Sequence, residues 1–331
     1  MKGAAVAAVA ALVLSGCGPA DTAATTTSAN VPESTTTQPP GTTITTILAT
    51  TTTVDSGFPA TIEDDRGEVV IDDRPEAIVS LSAVATEMLF EIGAGPQVVA
   101  VDDQSNFPSE APMTDLSGFT PNLEAILSYE PDLVVITFDP GDLVSGLEAA
   151  EVPVILFGAA ATIEDAYRQI EALGEATGNP EGALEANNRI EWGLADVVAG
   201  TDSLGEGVSY YHEIDSTYYT VTSSTFFGEI YGLFGMENIA DPADEDGAAF
   251  GYPQLSSEFI VSSDPDIIFL ADTLYGVSSE TVSERPGWDA MTAVQDGDIV
   301  ELDSDVASRW GPRIVDLAEA IAAAVKEYQG S

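Results

Sequence analysis

One cysteine, one histidine and nine Lys plus Arg side chains bound the chemistry open to this 331-residue chain. The thiol, Cys17, closes a Leu14-Ser15-Gly16-Cys17 box behind Lys2 and an apolar run from Ala4 to Leu14. That arrangement is the leader of a bacterial lipoprotein: cleavage before Cys17 frees an N-terminal residue whose thiol carries lipid, and the run is too short to span a bilayer. Residues 1–17 are therefore expected to be a signal peptide and lipobox. The mature chain is expected outside the cytoplasm, lipid-anchored through Cys17 to the outer face of the cell membrane. Without a second cysteine there is neither a disulfide framework nor a thiolate metal cluster.

Other chemistry is thinly supplied. His212 is the only imidazole, so a zinc site of three His or Cys ligands cannot be assembled. There is no Gly-x-Ser-x-Gly elbow, no His-Glu-x-x-His and no phosphate-binding Gly-x-x-x-x-Gly-Lys-Ser/Thr loop. No resident cofactor and no metal site are expected. Asp plus Glu number 56, giving a formal net charge of −47, which repels nucleic acid and anionic lipid. The acids are scattered without calcium-loop spacing and read as a solvated acidic surface. A hydrolase working through carboxylates alone and a ligand-free surface scaffold stay open as competing classes.

The elements that must position any site begin after a tether. Residues 18–57 are rich in Thr, Ser, Ala and Pro, as in Thr35-Thr36-Thr37-Gln38-Pro39-Pro40, and are expected to form a disordered stalk spanning roughly 35 Å. From residue 58 the pattern is globular. A hairpin is predicted over 61–71, with strands at 77–81, 98–101, 133–136 and 152–156 and helices at 85–92, 123–128 and 143–150. Unbroken apolar strands separated by helices imply a mainly parallel sheet covered on both faces. Residues 162–200 read as a connecting helical segment with Thr162 as N-cap and an interruption at Asn179-Pro180. The alternation then resumes, with strands at 207–212, 218–222, 267–270 and 299–302 and helices at 226–234, 259–262 and 314–328. The expected organisation is an N-terminal lobe over 58–161, a connector over 162–200 and a C-terminal lobe over 201–331.

The lobes repeat each other. Residues 122–136 align without a gap on 256–270, matching Glu124, Ile126, Ser128, Pro131 and Asp132 to Glu258, Ile260, Ser262, Pro265 and Asp266. Each copy is a polar cap, a short helix, a Pro-Asp turn and a buried strand. Two similar lobes leave a cleft between them, the usual place for a ligand.

Residues 60–328 resemble the substrate-binding proteins of ABC importers for iron chelates and vitamin B12. The motifs that carry the likeness are Ser80 to Gly95, Asn122-Leu123-Glu124 with Pro131-Asp132, Tyr252 to Glu258 and Ala307 to Arg313. The resemblance implies two α/β lobes with mainly parallel sheets joined by a long rigid helix, the class III periplasmic-binding architecture. It implies a monomer that captures a ferric siderophore-type chelate, or cobalamin or haem by the same fold, and delivers it to permease and ATPase subunits. It assigns permease docking to Glu124 and Glu258. For ligand binding it places Tyr252 where an aromatic ring lines the cleft of cobalamin-binding members and Arg309 near the cleft. Phe119, Phe138 and Tyr211, with Phe107 and Tyr219, are candidates as aromatic residues at strand ends expected to face the cleft, and Arg285 is a further cation because arginine is scarce. Among positions that are Trp in cobalamin binders this chain has Gly118, Thr137 and Val306, which tilts the reading towards iron.

Overall fold

In the computed structural model, which describes residues 57–201 and 203–329, the apolar runs enter two separate parallel sheets. An antiparallel hairpin of β1 (Ala60–Asp64) and β2 (Gly67–Ile71) comes first. The first lobe continues through β3 (Ile78–Leu81), α1 (Ala83–Glu91), β4 (Val98–Asp102), β5 (Met113–Leu116), α2 (Leu123–Leu127), β6 (Leu133–Ile136), α3 (Leu143–Ala149) and β7 (Val154–Leu156). Its strands lie in the order β5-β4-β3-β6-β7, every pair parallel. The leader, Cys17 and all of the stalk but Gly57 lie outside the described residues.

The connector is a pair of helices, α4 (Ile163–Thr177) and α5 (Pro180–Ala199). Thr162 opens α4 with a reciprocal capping box: its hydroxyl accepts from the Asp165 N–H at 3.1 Å, and the Asp165 carboxylate accepts from the Thr162 N–H at 3.0 Å. Gly178, left-handed at φ 70°, ends α4, and Pro180 starts α5 where no N–H is needed. The chain reverses there, since Asn187 on α5 donates back to the Tyr167 carbonyl on α4. Helix α5, about 30 Å long, then runs from the first lobe, where Arg189 binds Glu91, to the second.

The second lobe contains β8 (Ser209–Glu213), α6 (Phe226–Gly232), β9 (Glu237–Asn238), α7 (Ser257–Ser263), β10 (Ile267–Leu270), α8 (Ser279–Ser283), α9 (Thr292–Asp296), β11 (Ile299–Glu301) and α10 (Ile314–Gln329). Its parallel order is β11-β10-β8-β9. The strand predicted over 218–222 is reduced to one antiparallel bridge, Tyr219 to Gln254, and Tyr218 before it turns left-handed at φ 70°. The edge strands β5 and β9 carry no apolar run and were not predicted.

Strand alternation sorts the core into three clusters. In β6 and β10, Leu133, Val135, Ile267 and Phe269 enter one cluster shared by both lobes, together with α4, α5 and α10. Val134 and Ile136 face a second cluster confined to the first lobe, and Ile268 and Leu270 a third confined to the second. A continuous shared core resists hinge motion, because opening the lobes would expose apolar surface at about 25 cal/mol per Å².

Candidate ligand cleft

Both sheets change winding direction at a central strand: β3 lies between β4 and β6, and β8 between β9 and β10. Loops leaving such strands diverge and open a crevice beyond their carboxyl ends. The crevices of the two lobes form one cleft of about 530 Å³.

The first-lobe wall is built on strand ends. Leu81 ends β3 and Ser82 to Val84 follow it, Asp102 ends β4 with Gln104 beyond, and Thr137 and Phe138 follow β6. Ser82 caps α1, accepting from the Ala85 N–H at 3.2 Å and the Thr137 hydroxyl at 2.6 Å. Phe119 and Phe138 remain 58% and 40% exposed, with ring centroids 5.5 Å apart, an apolar patch on the cleft wall. Beside them, a Cβ on Gly118 would lie 2.6 Å from the Leu81 carbonyl oxygen, so no larger residue fits without backbone movement. Asp102 is buried and accepts from the Ser105 hydroxyl at 2.6 Å; burial, reinforced by Asp103, raises its carboxyl above the usual range.

The second-lobe wall carries His212 and Ile214 at the end of β8, Phe227 on α6, and Tyr252. Leu274 and Tyr275, 70% and 59% exposed, extend it beyond β10. Burial raises the Tyr252 phenol. His212 is 1% exposed, its Nδ1 lies 2.9 Å from the Tyr231 hydroxyl, and Phe227 stacks on it at 6.2 Å. Burial lowers its imidazole to about 4, so the ring is neutral at physiological pH.

Arg309 is the one Lys or Arg on this wall among the described residues, and its charge is spent. Its Nη1 donates to Glu87 Oε1 at 2.7 Å and Asn106 Oδ1 at 2.9 Å, and its Nη2 to Asp305 Oδ1 at 2.7 Å and the Gln104 carbonyl at 3.1 Å. Arg313 makes a fork to the same Glu87 carboxylate, Nε to Oε2 at 2.9 Å and Nη2 to Oε1 at 2.6 Å. The cleft thus exposes more apolar than polar surface, with Ser304, Asp305 and Ser308 among its polar lining, and has no free positive charge among the described residues.

The periplasmic binding protein family model matches residues 78–306, which take in the cleft-bearing ends of both sheets. The chain belongs to that family. It is 31% identical over 278 residues to the uncharacterized ABC transporter substrate-binding lipoprotein YvrC of Bacillus subtilis, across 81% of this chain and 86% of the relative. It is 32% identical over 272 residues to a cobalamin-binding protein of Halobacterium salinarum, across 78% and 72% respectively. The crystal structure of the periplasmic vitamin B12 binding protein BtuF of Vibrio cholerae superposes with a TM-score of 0.60 at 25% identity, covering 77% of this chain and 98% of that one. As a periplasmic binding protein the chain is a binder and not an enzyme. No helix among its described residues is long and apolar enough to cross a membrane.

The periplasmic-binding repeat has a structural basis. Asp132 accepts from the N–H groups of Glu76 and Ala77 at 2.8 and 3.0 Å, clamping the approach to β3; Asp266 does the same for β8 through the Ser209 N–H at 2.8 Å. Glu124 and Glu258 are both exposed in the first turns of α2 and α7, behind the caps Asn122 and Ser256.

Of the residues singled out from sequence, Phe119, Phe138, Tyr252 and Arg309 meet at the cleft, and Tyr211 does not. Tyr211 is fully buried in the outer cluster, its ring 6.3 Å from Trp288, because period-two alternation sends it to the sheet face opposite His212. Arg285 is also withdrawn, bound through both terminal nitrogens to Glu213 at 2.6 Å and lying 4.5 Å over Trp288. Phe107 sits under the Arg313 guanidinium at 4.4 Å, and Tyr219 bridges Gln254; neither lines the cleft. Sequence reasoning missed Leu274 and Tyr275, and it placed Phe227 only within the predicted helix over 226–234.

Proposed function

We propose that this protein is the extracytoplasmic substrate-binding component of an ABC importer, and that its cargo is a bulky metal chelate without net negative charge, a corrinoid first. The carrying observation is the neutralised Arg309: a cleft whose one guanidinium is held by Glu87 and Asp305 has nothing with which to offset a trianionic ferric catecholate. An uncharged, broad-faced ligand instead gains from apolar contact with Phe119, Phe138, Tyr252 and Leu274. The relatives named for cobalamin and vitamin B12 support the same choice. The iron expectation is kept only as a second reading, an uncharged ferric hydroxamate, which satisfies the same charge argument.

Glu124 and Glu258, equivalent in the repeat and exposed, are proposed to meet cationic side chains of the permease, where they set orientation and encounter rate. Cys17 is proposed as the lipidated residue that keeps the domain at the membrane.

The test is thermal denaturation of residues 58–331 with cyanocobalamin, a ferric trihydroxamate, haem and a ferric tris-catecholate. A ligand at 100 times its Kd stabilises by about 2.7 kcal/mol. Stabilisation by cyanocobalamin, weakened in Tyr252→Ala, is the expected result; stabilisation by the tris-catecholate alone overturns the charge argument.

A further inference from the structure

Strands β3 and β6 pair in parallel with Leu81 opposite Ile136, and both end at the cleft. The next residue on each carries a hydroxyl: Ser82 beyond β3 and Thr137 beyond β6. Both line the cleft, Ser82 buried at the start of α1 and Thr137 half-buried beside it. Their side-chain oxygens are 2.6 Å apart, and Ser82 Oγ also accepts from the Ala85 N–H at 3.2 Å. Neither hydroxyl makes another hydrogen bond among the described residues.

Capping α1 accounts for Ser82, but it does not use up the pair. Two hydroxyls carry two protons, and the bond between them consumes one. With Thr137 donating, both lone pairs of Ser82 are filled and its own proton is unspent, while the lone pairs of Thr137 stay open. With the bond reversed, Thr137 keeps its proton and one open lone pair. Either way the pair retains one donor and at least one acceptor. Phe119 and Phe138 stand on the same wall and can satisfy neither.

We infer that Ser82 and Thr137 form a two-hydroxyl clasp for a neutral primary amide on the cargo. The amide carbonyl oxygen accepts the unspent proton, and the amide N–H donates to the open lone pair. A primary amide holds its acceptor and its donor on one carbon, which suits two adjacent oxygens. A carboxylate brings acceptors only, and a charge that no free cation of the cleft offsets. A metal-bound hydroxamate has its oxygens committed to the metal and has no amide N–H to give. The inference rests on the corrinoid reading and deepens it, since the rim of a corrin bears primary amide side chains. Thr137 becomes a specificity-determining residue: a ligand group that leaves the clasp unpaired is rejected.

Thr137→Val keeps the branched shape and removes the hydroxyl. In calorimetry with cyanocobalamin it is expected to bind about tenfold more weakly than the wild type, and Thr137→Ser is expected to recover the affinity. Thr137→Ala should show the same loss as Thr137→Val, so a wall disturbed by Val does not decide the result. Monocarboxylic acids of cyanocobalamin, each with one side-chain amide hydrolysed, identify the group in the clasp. For that amide, the wild-type preference for amide over acid is expected to exceed the preference of Thr137→Val; for the others the two preferences agree. Full affinity in Thr137→Val and Thr137→Ala, or equal preferences for every derivative, overturns the clasp and leaves the cleft as the ligand site. A wild-type protein that binds a gallium trihydroxamate but not cyanocobalamin has the same meaning. One that binds neither overturns the cleft reading and the clasp with it.

Discussion

Arg309 and Glu87 stand 222 residues apart and meet across the two lobes, Nη1 to Oε1 at 2.7 Å, with side chains 9% and 2% exposed. Arg313 shares the same carboxylate oxygen at 2.6 Å. One buried glutamate therefore holds two guanidiniums from the second lobe against α1 of the first. The clamp has two consequences: it fastens the lobes beside their shared core, and it removes the cleft's one cation from use by a ligand.

Replacing Glu87 with Gln should act on both. Removing one partner from a buried ion pair costs about 3–5 kcal/mol, much of it from the charge left unpaired. Chemical denaturation of Glu87→Gln should show a loss of that order. The freed Arg309 should also give the variant measurable affinity for a ferric tris-catecholate that the wild type lacks. An unchanged denaturation midpoint would show that the clamp carries no stability.

Asp272 is buried at the end of β10, and neither of its oxygens has a partner among the described residues. Burial, with Glu213 and Asp215 nearby and Arg285 opposing them, raises its carboxyl to about 7. The folded protein therefore holds a proton that the unfolded chain releases near the ordinary value of 3.8. The resulting stability is complete below about pH 3.8 and is lost as pH rises through about 7. Asp272→Asn, neutral at every pH, should match the wild type below about pH 3.8 and exceed its melting temperature by a growing margin up to pH 8. Equal melting temperatures across that range would contradict the raised carboxyl.

Gly118 should tolerate no side chain. A Cβ there meets the Leu81 carbonyl oxygen at 2.6 Å and Asp102 Oδ2 at 2.9 Å, so Gly118→Ala must push the loop bearing Phe119 away from β3. Overpacking of this kind costs about 1–3 kcal/mol. Weaker cyanocobalamin binding should accompany it, measured by calorimetry, because the displaced loop carries part of the apolar patch. A variant as stable and as tight-binding as the wild type would show that the loop yields freely.

Reversing Glu124 and Glu258 to Arg together should leave ligand affinity unchanged and abolish uptake in cells carrying the importer. Both carboxylates are exposed and neither lines the cleft, so calorimetry and uptake separate docking from capture. Loss of ligand affinity in the double variant would instead tie these helices to the binding site.

Much of the scaffold was legible because it is written in short-range pattern. Even brief apolar runs sufficed: Leu133 to Ile136 and Ile267 to Leu270 are four-residue strands, and each was readable from its Pro-Asp turn and preceding cap. The turn between α4 and α5 was signalled by Asn179-Pro180, and the α4 cap by Thr162. Phe119 and Phe138 could be placed near strand ends and Tyr252 by the family resemblance, and all three lie on the cleft wall. Tyr211 could not be placed by the same reasoning, because a strand end locates the cleft but not which alternate side chain faces it.

By itself the sequence determined the alternation of strand and helix, the two-lobe repeat and the break in the connector, since caps, turns and apolar periodicity act within a few residues. The tertiary structure alone decided that Arg309 is neutralised, that Tyr211 turns to the outer cluster, and that His212 is buried against Tyr231. Those outcomes depend on sheet order and on how strands and helices pack, which bring together residues 19 to 222 positions apart. No local pattern encodes such pairings, and the Arg309 pairing sets the cleft's charge.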